Sequence, residues 1–488
     1  MKNIALLLIL ALPLFYGCSD LEDNYSTNPN HKLTFSVDTL AFDTVFTTIG
    51  STTKKFMVYN KNKEAINIES ILLKGQGNSG FRMNVDGRKG TEFSNIGILP
   101  KDSMYVFVEV TVDPQDKNNP FEIKDSVEFL FNGIKQSILL QAYGQDAKVI
   151  KGGLFINEDT TFTSERPYLV YDSIVVSPNV TLQIEAGTNF FMHSNAKINV
   201  FGTINTKGSL ESPVTFRGDR LDYLLQDKLA YDNVPGLWGG FTFHPSSYNN
   251  LFEHTIIRNG KNGITCLPST TNQPKITFIA SQVSNMTGNL LFAENCHIEA
   301  ANSEFTNAED SLIALSGGKY RFVHCTIANF MGSVKSRTGI SAVTLLNKSP
   351  MEGKEAYPIE KISFENCIID GSKSQKSGEI AIETDEDFEY SFLNCLVRQE
   401  NDLKNSTNCI FLEGTNLEKY RRNGGKEENY TFDFRLKTNE EGFNAAIGKA
   451  DIETARLYPE DRYGVMRVSE TVLPDIGAYQ YVPEPEEE

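Results

Sequence analysis

The residues of this sequence best suited to chemistry are acidic: Glu299 and Glu304, and the run at residues 384–387. Most glycoside hydrolases use two carboxylates that flank the glycosidic bond, and clustered carboxylate oxygens are suitable ligands for calcium. Glu299 and Glu304 are therefore the candidate catalytic pair, and residues 384–387 the candidate calcium loop. A run of charges is more often a solvated turn, and we expect that at 384–387.

The six histidines are scattered, and only His254 and His324 occupy equivalent positions of a repeated pattern. Three repeats separate them, about 14 Å at the usual strand spacing, which is too far for one shared metal ion. We therefore expect bend or core positions for both. Trp238, the single tryptophan, could stack on a sugar, but its place beside Gly239 and Gly240 in a predicted strand favours packing.

The repeated pattern returns six times between Asn249 and Glu400 at intervals of 22 to 42 residues. Each repeat is numbered from one reference position, called position zero, which is Thr255, Ser281, Ser303, Cys325, Cys367 and Cys395. Phe, or once Ala, stands three places before position zero, and Ile, Val or Phe stands two places after it. A period in the twenties predicts a solenoid, whose units bury apolar surface only against their neighbours.

Within each unit, apolar residues alternate with period two, and the unit is too short for two helices. A second apolar run follows most units, at residues 264–266, 290–292, 312–314, 380–382 and 410–412. Four places after zero stand Asn259, Asn285, Asn307 and Asn329, and Asn suits bends because it tolerates left-handed backbone. These features predict an all-β fold, a right-handed parallel β-helix with an enlarged turn at 347–358.

Coils of such a helix lie about 4.8 Å apart, so charged residues in one column could act together. The columns four and two places before zero, and three places after it, contain mixed residue types. We find no acids or bases on consecutive coils in them; Glu299 and Glu304 come nearest. The sequence therefore predicts no catalytic, cofactor-binding or metal-binding residue.

A resemblance supports the fold from residue 148 onward. Residues 180–188, 198–204, 213–216 and 238–241 closely resemble the opening coils of bacterial right-handed β-helix repeat proteins. Residues 444–448, 461–464 and 474–479 resemble the terminal signature that closes the last coil. Between residues 213–216 and 238–241, the insertion at 219–236 is predicted to project as a loop. The resemblance implies the fold over 148–482; the family includes lyases and polygalacturonases, but the Asn-Thr-Asp and Asp-Asp motifs of the latter are absent.

Residues 32–147 alternate short apolar runs with turn signals, as at 33–37, 55–59, 66–71, 105–110 and 137–140. About seven strands in this length predict an antiparallel β-sandwich. Residues 56–60, Phe81 and 108–114 resemble the Ig-like domains of the ASPM–SPD-2–hydin class, which implies a spacer or interaction module.

Residues 1–18 predict an export signal, with Lys2 followed by an apolar segment at 4–14 that is too short to span a membrane. The sequence up to Cys18 resembles a bacterial lipoprotein signal, which implies lipid attachment at Cys18; an ordinary signal peptide is the alternative. The acidic residues 19–23 resemble the surface-export signals of Bacteroidetes lipoproteins. We expect a tether at 19–31 and a free acidic tail at 483–488.

The formal charge of −17 disfavours nucleic acid as a partner. Of seven cysteines, six lie in the predicted solenoid without a Cys-x-x-Cys spacing, so they predict small apolar core residues. We expect an outer-membrane lipoprotein at the cell surface. Its β-helix would be a non-catalytic binding or scaffolding surface for a glycan or an envelope protein. The alternative is a polysaccharide lyase or glycoside hydrolase. No cofactor is expected, and calcium stays open.

Overall fold

The computed structural model describes residues 25–224, 229–332, 335–347, 357–383, 388–400, 403–412, 432–438 and 444–483. Almost every regular element in these ranges is a strand, apart from helix α1 (Ile452–Leu457) and a 3-10 turn at Tyr231–Asn233. No helix in the described ranges is long and apolar enough to cross a membrane. The chain divides into two compact units, Met1–Asp146 and Ala147–Glu488.

The first unit is a sandwich of two five-stranded sheets, with orders β1-β3-β8-β5-β6 and β2-β10-β9-β4-β7. Neighbouring strands are antiparallel except β2 and β10, which are parallel. The strands are β1 Thr34–Phe35, β2 Thr39–Phe46, β3 Lys54–Tyr59, β4 Ile66–Leu73, β5 Phe81–Val85, β6 Arg88–Gly90, β7 Glu92–Ile98, β8 Ser103–Val110, β9 Phe121–Phe131 and β10 Ile134–Gln145.

Period-two alternation produces this sandwich. In β8, Val106, Val108 and Val110 are buried, whereas the alternate residues Tyr105 and Phe107 face solvent. Burying one face of each strand against the other sheet supplies the main favourable free energy of such a unit. About seven strands were expected and ten are present, because strands as short as β1 and β6 contain too few residues to show a period.

The second unit is the predicted right-handed parallel β-helix, so the all-β class with a preceding sandwich is confirmed. Each coil supplies strands to up to three parallel sheets in chain order. The first sheet contains β11 Lys148–Ile150, β14 Tyr168–Val170, β17 Asn189–Met192, β20 Val214–Gly218, β25 Thr255–Arg258, β28 Gln282–Met286, β31 Glu304–Ala308, β34 Thr326–Asn329, β37 Ile368–Gly371, β40 Leu396–Val397 and β42 Ile410–Phe411.

The other two sheets complete the coils. The second sheet contains β12 Leu154–Ile156, β15 Ser173–Val176, β18 Lys197–Val200, β23 Phe241–Phe243, β26 Ile264–Cys266, β29 Leu291–Glu294, β32 Ile313–Ser316, β35 Val343–Leu346 and β38 Ile380–Glu383. The third contains β13 Thr160–Phe162, β16 Thr181–Glu185, β19 Thr203–Lys207, β24 Asn250–Glu253, β27 Ile276–Ile279, β30 His297–Ala301, β33 Gly318–Val323, β36 Ile359–Glu365, β39 Tyr390–Leu393 and β41 Ser406–Thr407. A separate hairpin joins β21 Tyr223–Leu224 to β22 Leu229–Ala230.

The strand register confirms the six-fold sequence alignment, because the residues three places before zero pair from coil to coil. Their rings stack inside the helix, with centroids 5.0 Å apart for Phe322–Phe364. Ala300 interrupts this aromatic column, and Phe305 fills the gap from the neighbouring column at 5.6 and 6.0 Å from the rings on either side. The core is therefore continuous despite the small residue.

Position zero forms a ladder of hydrogen-bond donors. Ser281 Oγ donates to the carbonyl of Phe252 on the preceding coil at 2.9 Å and to that of Ile279 on its own coil at 3.0 Å. The Cys367 thiol donates in the same way to Phe322 and Glu365, at 3.4 and 3.3 Å. Thr, Ser and Cys share this column because each is small and carries a donor that satisfies buried carbonyls.

The residue before zero has a left-handed backbone on seven coils, with φ between 42° and 53° at His254, Ala280, Asn302, His324, Asn366, Asn394 and Asn408. The predicted bend positions of the two histidines are thus confirmed. The Asn column after the strand is left-handed at Asn259, Asn285 and Asn307, with φ of 60° to 68°. Asn329 departs from it and donates instead to the Ala308 carbonyl of the coil before, at 2.9 Å.

One detail of the predicted coils is wrong. Ile410–Phe411 is not a second run but strand β42 of the first sheet, paired with β40. Cys409 consequently belongs to the zero column, since its thiol donates to the Phe392 carbonyl at 3.3 Å. The coil after Cys395 is shortened to 14 residues, which leaves no room for a strand of the second sheet. All six described cysteines are free thiols.

The signature in the C-terminal segment predicted that it closes the last coil. The segment 444–483 makes wider contacts than that. It lies along the outer face of the first sheet and buries a separate apolar cluster that includes Ala328, Ile368, Leu396, Ile476 and Tyr479. Its backbone bonds several coils, as when Gly477 N–H donates to the Asn366 carbonyl at 2.9 Å. The sheet face itself is apolar there, so the chain must cover it.

Candidate functional site

Four titratable side chains occupy one corner of the β-helix on four consecutive coils. Each is the first residue after a strand of the first sheet: Lys151 after β11, Tyr171 after β14, His193 after β17 and Asp219 after β20. These strands are in register, so the four side chains leave the sheet at the same place. We call these four residues the corner column.

Neighbours in the corner column touch. His193 Nδ1 lies 2.6 Å from Asp219 Oδ2. The Tyr171 and His193 rings have centroids 4.6 Å apart, and Lys151 Nζ lies 4.7 Å from the centroid of the Tyr171 ring. The column is thus a continuous chain of contacts: ammonium on ring, ring on imidazole, imidazole on carboxylate.

The electrostatics of the column follow from its place at the surface. Burial, and then the charge of Asp219, raises the pKa of Tyr171, so the phenol is protonated at neutral pH and can donate a hydrogen bond. The His193 side chain is 43% exposed and that of Asp219 only 15%. The more buried Asp219 therefore orients the imidazole through Nδ1. Nε2 makes no protein hydrogen bond within the described residues.

Over its described residues the insertion at 219–236 contains the hairpin of β21 and β22, with Tyr223 exposed, and its predicted projection as a loop stays a prediction. Asp232 lies 3.0 Å from Arg217 and 2.9 Å from Arg258, which are on neighbouring strands of the first sheet. Arg220 makes two hydrogen bonds to Asp222, and its guanidinium lies 4.0 Å from the Tyr231 ring centroid. Ion pairs thus anchor the insertion beside Asp219.

The corner column can bind polar ligands and can transfer protons. An imidazole whose Nδ1 faces a carboxylate presents Nε2 as a base, and a protonated phenol beside it is a possible acid. For binding alone, the column offers an ammonium group, a phenol and an imidazole along the helix axis. A sugar chain also presents hydroxyl groups at regular intervals.

Sequence reasoning missed this column because the alignment began at Asn249, beyond its last member. The signal is a polar residue directly after an apolar strand at positions 151, 171, 193 and 219, at intervals of 20, 22 and 26 residues. Val214 stands at position zero on the fourth coil. That coil therefore lacks the Ser, Thr or Cys that marked the later repeats.

The candidate pair Glu299 and Glu304 is not brought together. Glu299 is on β30 of the third sheet, 3.2 Å from His297 Nε2, whereas Glu304 is on β31 of the first sheet. Glu304 is buried and accepts from Gln282 at 2.8 Å, from Thr306 at 2.9 Å and from Tyr479. Its lone pairs serve the fold.

A polar groove of about 110 Å³ lies above Glu304, lined among others by Asp232, Arg258, Gln282 and Ser284. Asp232 forms ion pairs with two arginines, and Glu304 accepts three hydrogen bonds, so both carboxylates have partners within the fold. The space is also well below the roughly 300 Å³ of the smaller ligand pockets. We therefore assign the groove to the packing of the sheet face.

The expectation that no column carries charges on consecutive coils fails at Asp370 and Arg398. They occupy the same column on neighbouring coils and form an ion pair whose side chains are 0% and 1% exposed. Trp238 is fully buried, and its indole N–H donates to the Arg258 carbonyl at 2.8 Å, so its packing role is confirmed. Cys18 and residues 384–387 lie outside the described residues.

No group of three or more His, Cys, Asp or Glu side chains within the described ranges is placed to hold a metal ion. The corner column contributes only two such residues, His193 and Asp219.

No family model matches this chain, and no curated protein matches it. Among solved structures, it is similar to a family 123 glycoside hydrolase from Clostridium perfringens, with 6% identity and a TM-score of 0.17, over 24% of this chain and 26% of that one. It is also similar to the ASH/PapD-like domain 7 of human CEP192, with 14% identity and a TM-score of 0.17, over 26% of this chain and 94% of that one. TM-scores this low carry no argument about function.

Proposed function

We propose that this protein is a lipid-anchored lipoprotein of the outer membrane, exposed at the cell surface, whose β-helix binds a polysaccharide at the corner column. The observation that carries the proposal is the continuous contact of Lys151, Tyr171, His193 and Asp219 on four coils. The β-helix is the rigid scaffold that holds these groups at fixed spacing. The sandwich acts as a spacer or second contact module.

The corner column suits a sugar chain because it combines several hydrogen-bonding groups in a row. The exposed imidazole, the phenol and the ammonium group of Lys151 can bond the hydroxyl groups of sugars. Strands of one sheet repeat about every 4.8 Å, so successive side chains meet successive parts of an extended ligand. The C-terminal segment covers the first-sheet face on the later coils, around Ala328, Ile368 and Leu396.

The membrane part of the proposal rests on residues 1–18. A cysteine that carries two or three acyl chains would anchor a protein stably to a bilayer. We expect Cys18→Ala to move the protein from the membrane fraction to the soluble fraction of cells, and to abolish labelling by a clickable fatty acid. Retention of both the label and the membrane association in Cys18→Ala would refute the anchor.

A second function is favoured by the His193–Asp219 contact, which is the arrangement of an oriented general base. With one carboxylate, one imidazole and one protonated phenol, the chemistry fits a polysaccharide lyase better than a hydrolase, which needs two carboxylates. His193 Nε2 would take the proton next to the carboxylate of a uronic acid. The C–O bond then breaks with formation of a C=C bond, and Tyr171 protonates the leaving oxygen.

A binding and depolymerisation screen on a soluble form starting at Ser19 tests both functions, with calcium and with a chelator. We expect a polysaccharide to be bound without release of products, and His193→Ala to weaken that binding about 10-fold, as loss of roughly 1.4 kcal/mol would. Tyr223→Phe, an exposed tyrosine of the neighbouring insertion, is the matched control. Wild-type affinity in His193→Ala would disprove the assigned site.

Release of unsaturated sugar products would replace the binding proposal by the lyase. In that case His193→Ala should lower the rate about 100-fold or more, the usual contribution of a general base. Binding of an envelope protein with no glycan bound would reject the glycan ligand.

A further inference from the structure

The outer face of one sandwich sheet has the features of a second ligand site. Its β8 strand exposes Tyr105 and Phe107, whose side chains are 44% and 37% exposed with ring centroids 5.9 Å apart. Exposed aromatic residues next to each other on a sheet face are unusual in a region that only spaces two parts of a chain. Lys55 Nζ lies 4.6 Å from the Tyr105 ring centroid.

Strand register places polar side chains around these rings on the same face. Asn84 of β5 pairs with Phe107 on one side and with Lys89 of β6 on the other. Arg82 pairs with Glu109 in the next row. A cavity of about 550 Å³ opens here, lined by Phe107 and these polar residues, within the size range of small-molecule sites.

The polar groups of this cavity are not used by the fold. Arg82, Lys89 and Glu109 form no ion pair with any described residue. Asn84 Oδ1 is buried and makes no hydrogen bond in the described structure. A buried carbonyl without a partner is unfavourable, and a donor on a ligand would satisfy it.

Charge indicates the class of ligand. Lys55, Arg82 and Lys89 against Glu109 make this face cationic in a chain with a formal charge of −17. A ligand with a carboxylate would bond the guanidinium and ammonium groups through charge-assisted hydrogen bonds. The exposed rings require in addition a flat apolar face.

The site lies on a sheet face, where the backbone N–H and C=O groups are already paired between strands. A peptide that adds as a β-strand needs a free sheet edge, so recognition here depends on side chains. We propose that this face of the sandwich binds an acidic glycan, a chain containing uronic acid rings. Ring faces lie on Phe107 and Tyr105, and carboxylates contact Arg82 and Lys89. The site is separate from the corner column and does not depend on it.

The test is calorimetric titration of the soluble form starting at Ser19 with tetragalacturonate, with cellotetraose as the neutral counterpart. His193→Ala is included so that the corner column is removed in parallel. We expect tetragalacturonate to bind in both proteins and cellotetraose to bind at least about 10-fold more weakly. Phe107→Ala and Arg82→Ala should each weaken binding about 10-fold. Raising the salt concentration should weaken it further.

Tyr143→Ala and Lys135→Ala are the matched controls, since both residues are exposed on β10 of the other sheet. Far-ultraviolet circular dichroism and thermal melts check that each variant is folded. The proposal is overturned by full-strength binding in Phe107→Ala and Arg82→Ala, by equal affinity for the neutral sugar, or by the absence of binding at millimolar ligand. Loss of all binding in His193→Ala would assign the ligand to the corner column, and binding of poly-glutamate in its place would favour a protein partner.

Discussion

The early and late coils of the β-helix use their titratable side chains in opposite ways. In the corner column, the His193 side chain is half-exposed, and Nε2 of its imidazole makes no hydrogen bond to a described residue. In the late coils, Asp370 forms an ion pair with Arg398, and Glu379 accepts two hydrogen bonds from Arg337 at 2.7 and 2.8 Å. All four side chains are at most 6% exposed.

The difference teaches how to separate a site from a scaffold in a solenoid. Stacked charges alone do not mark function, because the late pairs are stacked too. What distinguishes the corner column is solvent access together with a hydrogen-bonding atom that the fold leaves unused. The following predictions test that distinction, since the late residues should govern stability and the early ones should not.

The largest effect is expected from breaking the buried pair of Asp370 and Arg398. Arg398→Leu leaves a buried carboxylate without its charge partner and should lower the free energy of unfolding by about 3–5 kcal/mol in urea titrations. Asp370→Leu combined with Arg398→Met should recover most of the loss. The exposed Arg456, paired with Glu453, is the control, and Arg456→Ala should change stability by less than about 0.5 kcal/mol. A loss below 1 kcal/mol in Arg398→Leu would contradict the distinction.

Tyr479→Phe should have the next largest effect. The phenol of Tyr479 donates to the buried carboxylate of Glu304, and Arg462 donates to that phenol at 3.1 Å. Removing a hydrogen bond to a charged group should lower stability by about 2 kcal/mol. Tyr463→Phe, on the half-exposed ring that packs against Tyr479, is the control measured in the same titration. Equal stability of the two variants would show that the C-terminal segment does not depend on Glu304.

His324 should make stability depend on pH. Burial, and then the charge of Arg467, holds its pKa well below the ordinary value, so the folded protein keeps the ring neutral. The unfolded chain binds a proton near pH 6.5, so stability is intact above that pH and falls as the pH drops below it.

His324→Asn should remove this dependence, because Asn occupies the same left-handed position at Asn302 and Asn366. The slope of the unfolding free energy between pH 6.5 and pH 5 should fall by up to about 1.4 kcal/mol per pH unit. His254→Asn, at the same corner but only half-buried, should change the slope less. Identical slopes in wild type and His324→Asn would rule out the buried histidine as the cause.

Exchange within the zero column should have a small effect. Cys367→Ser keeps a donor for the Phe322 and Glu365 carbonyls and should change stability by less than about 1 kcal/mol. Cys367→Ala removes that donor and should be worse than the serine variant in the same denaturation series. The reverse order would mean that thiol packing, and not hydrogen bonding, selects this column.

The smallest effect on stability is expected in the corner column. His193→Ala removes a half-exposed side chain and should change the unfolding free energy by no more than about 0.5 kcal/mol. Thermal melts beside Tyr223→Phe provide the check. A loss above 2 kcal/mol would place His193 with the structural residues and remove the distinction between early and late coils.

Strand positions were predictable from the sequence because they depend on local alternation and a repeating core. The aromatic column through Phe252 and Phe364 and the donors at zero follow directly. The pairing of Arg337 with Glu379 was not predictable, because Arg337 lies outside any strand and its path depends on neighbouring coils. The early coils do share a core column, since Tyr168, Phe190 and Phe216 pair in register and stack. The corner column was missed because the sequence alignment began beyond these coils, at Asn249.

The donor ladder at position zero makes a coil depend on the coil that follows it. Ser281 satisfies the carbonyl of Phe252, and Cys367 that of Phe322, so each corner is completed by a side chain from the coil that follows. A coil that has just formed is therefore incomplete until its successor arrives. A β-helix that stopped after such a coil would leave the carbonyl of its last corner without this donor, next to the unpaired edges of its final strands.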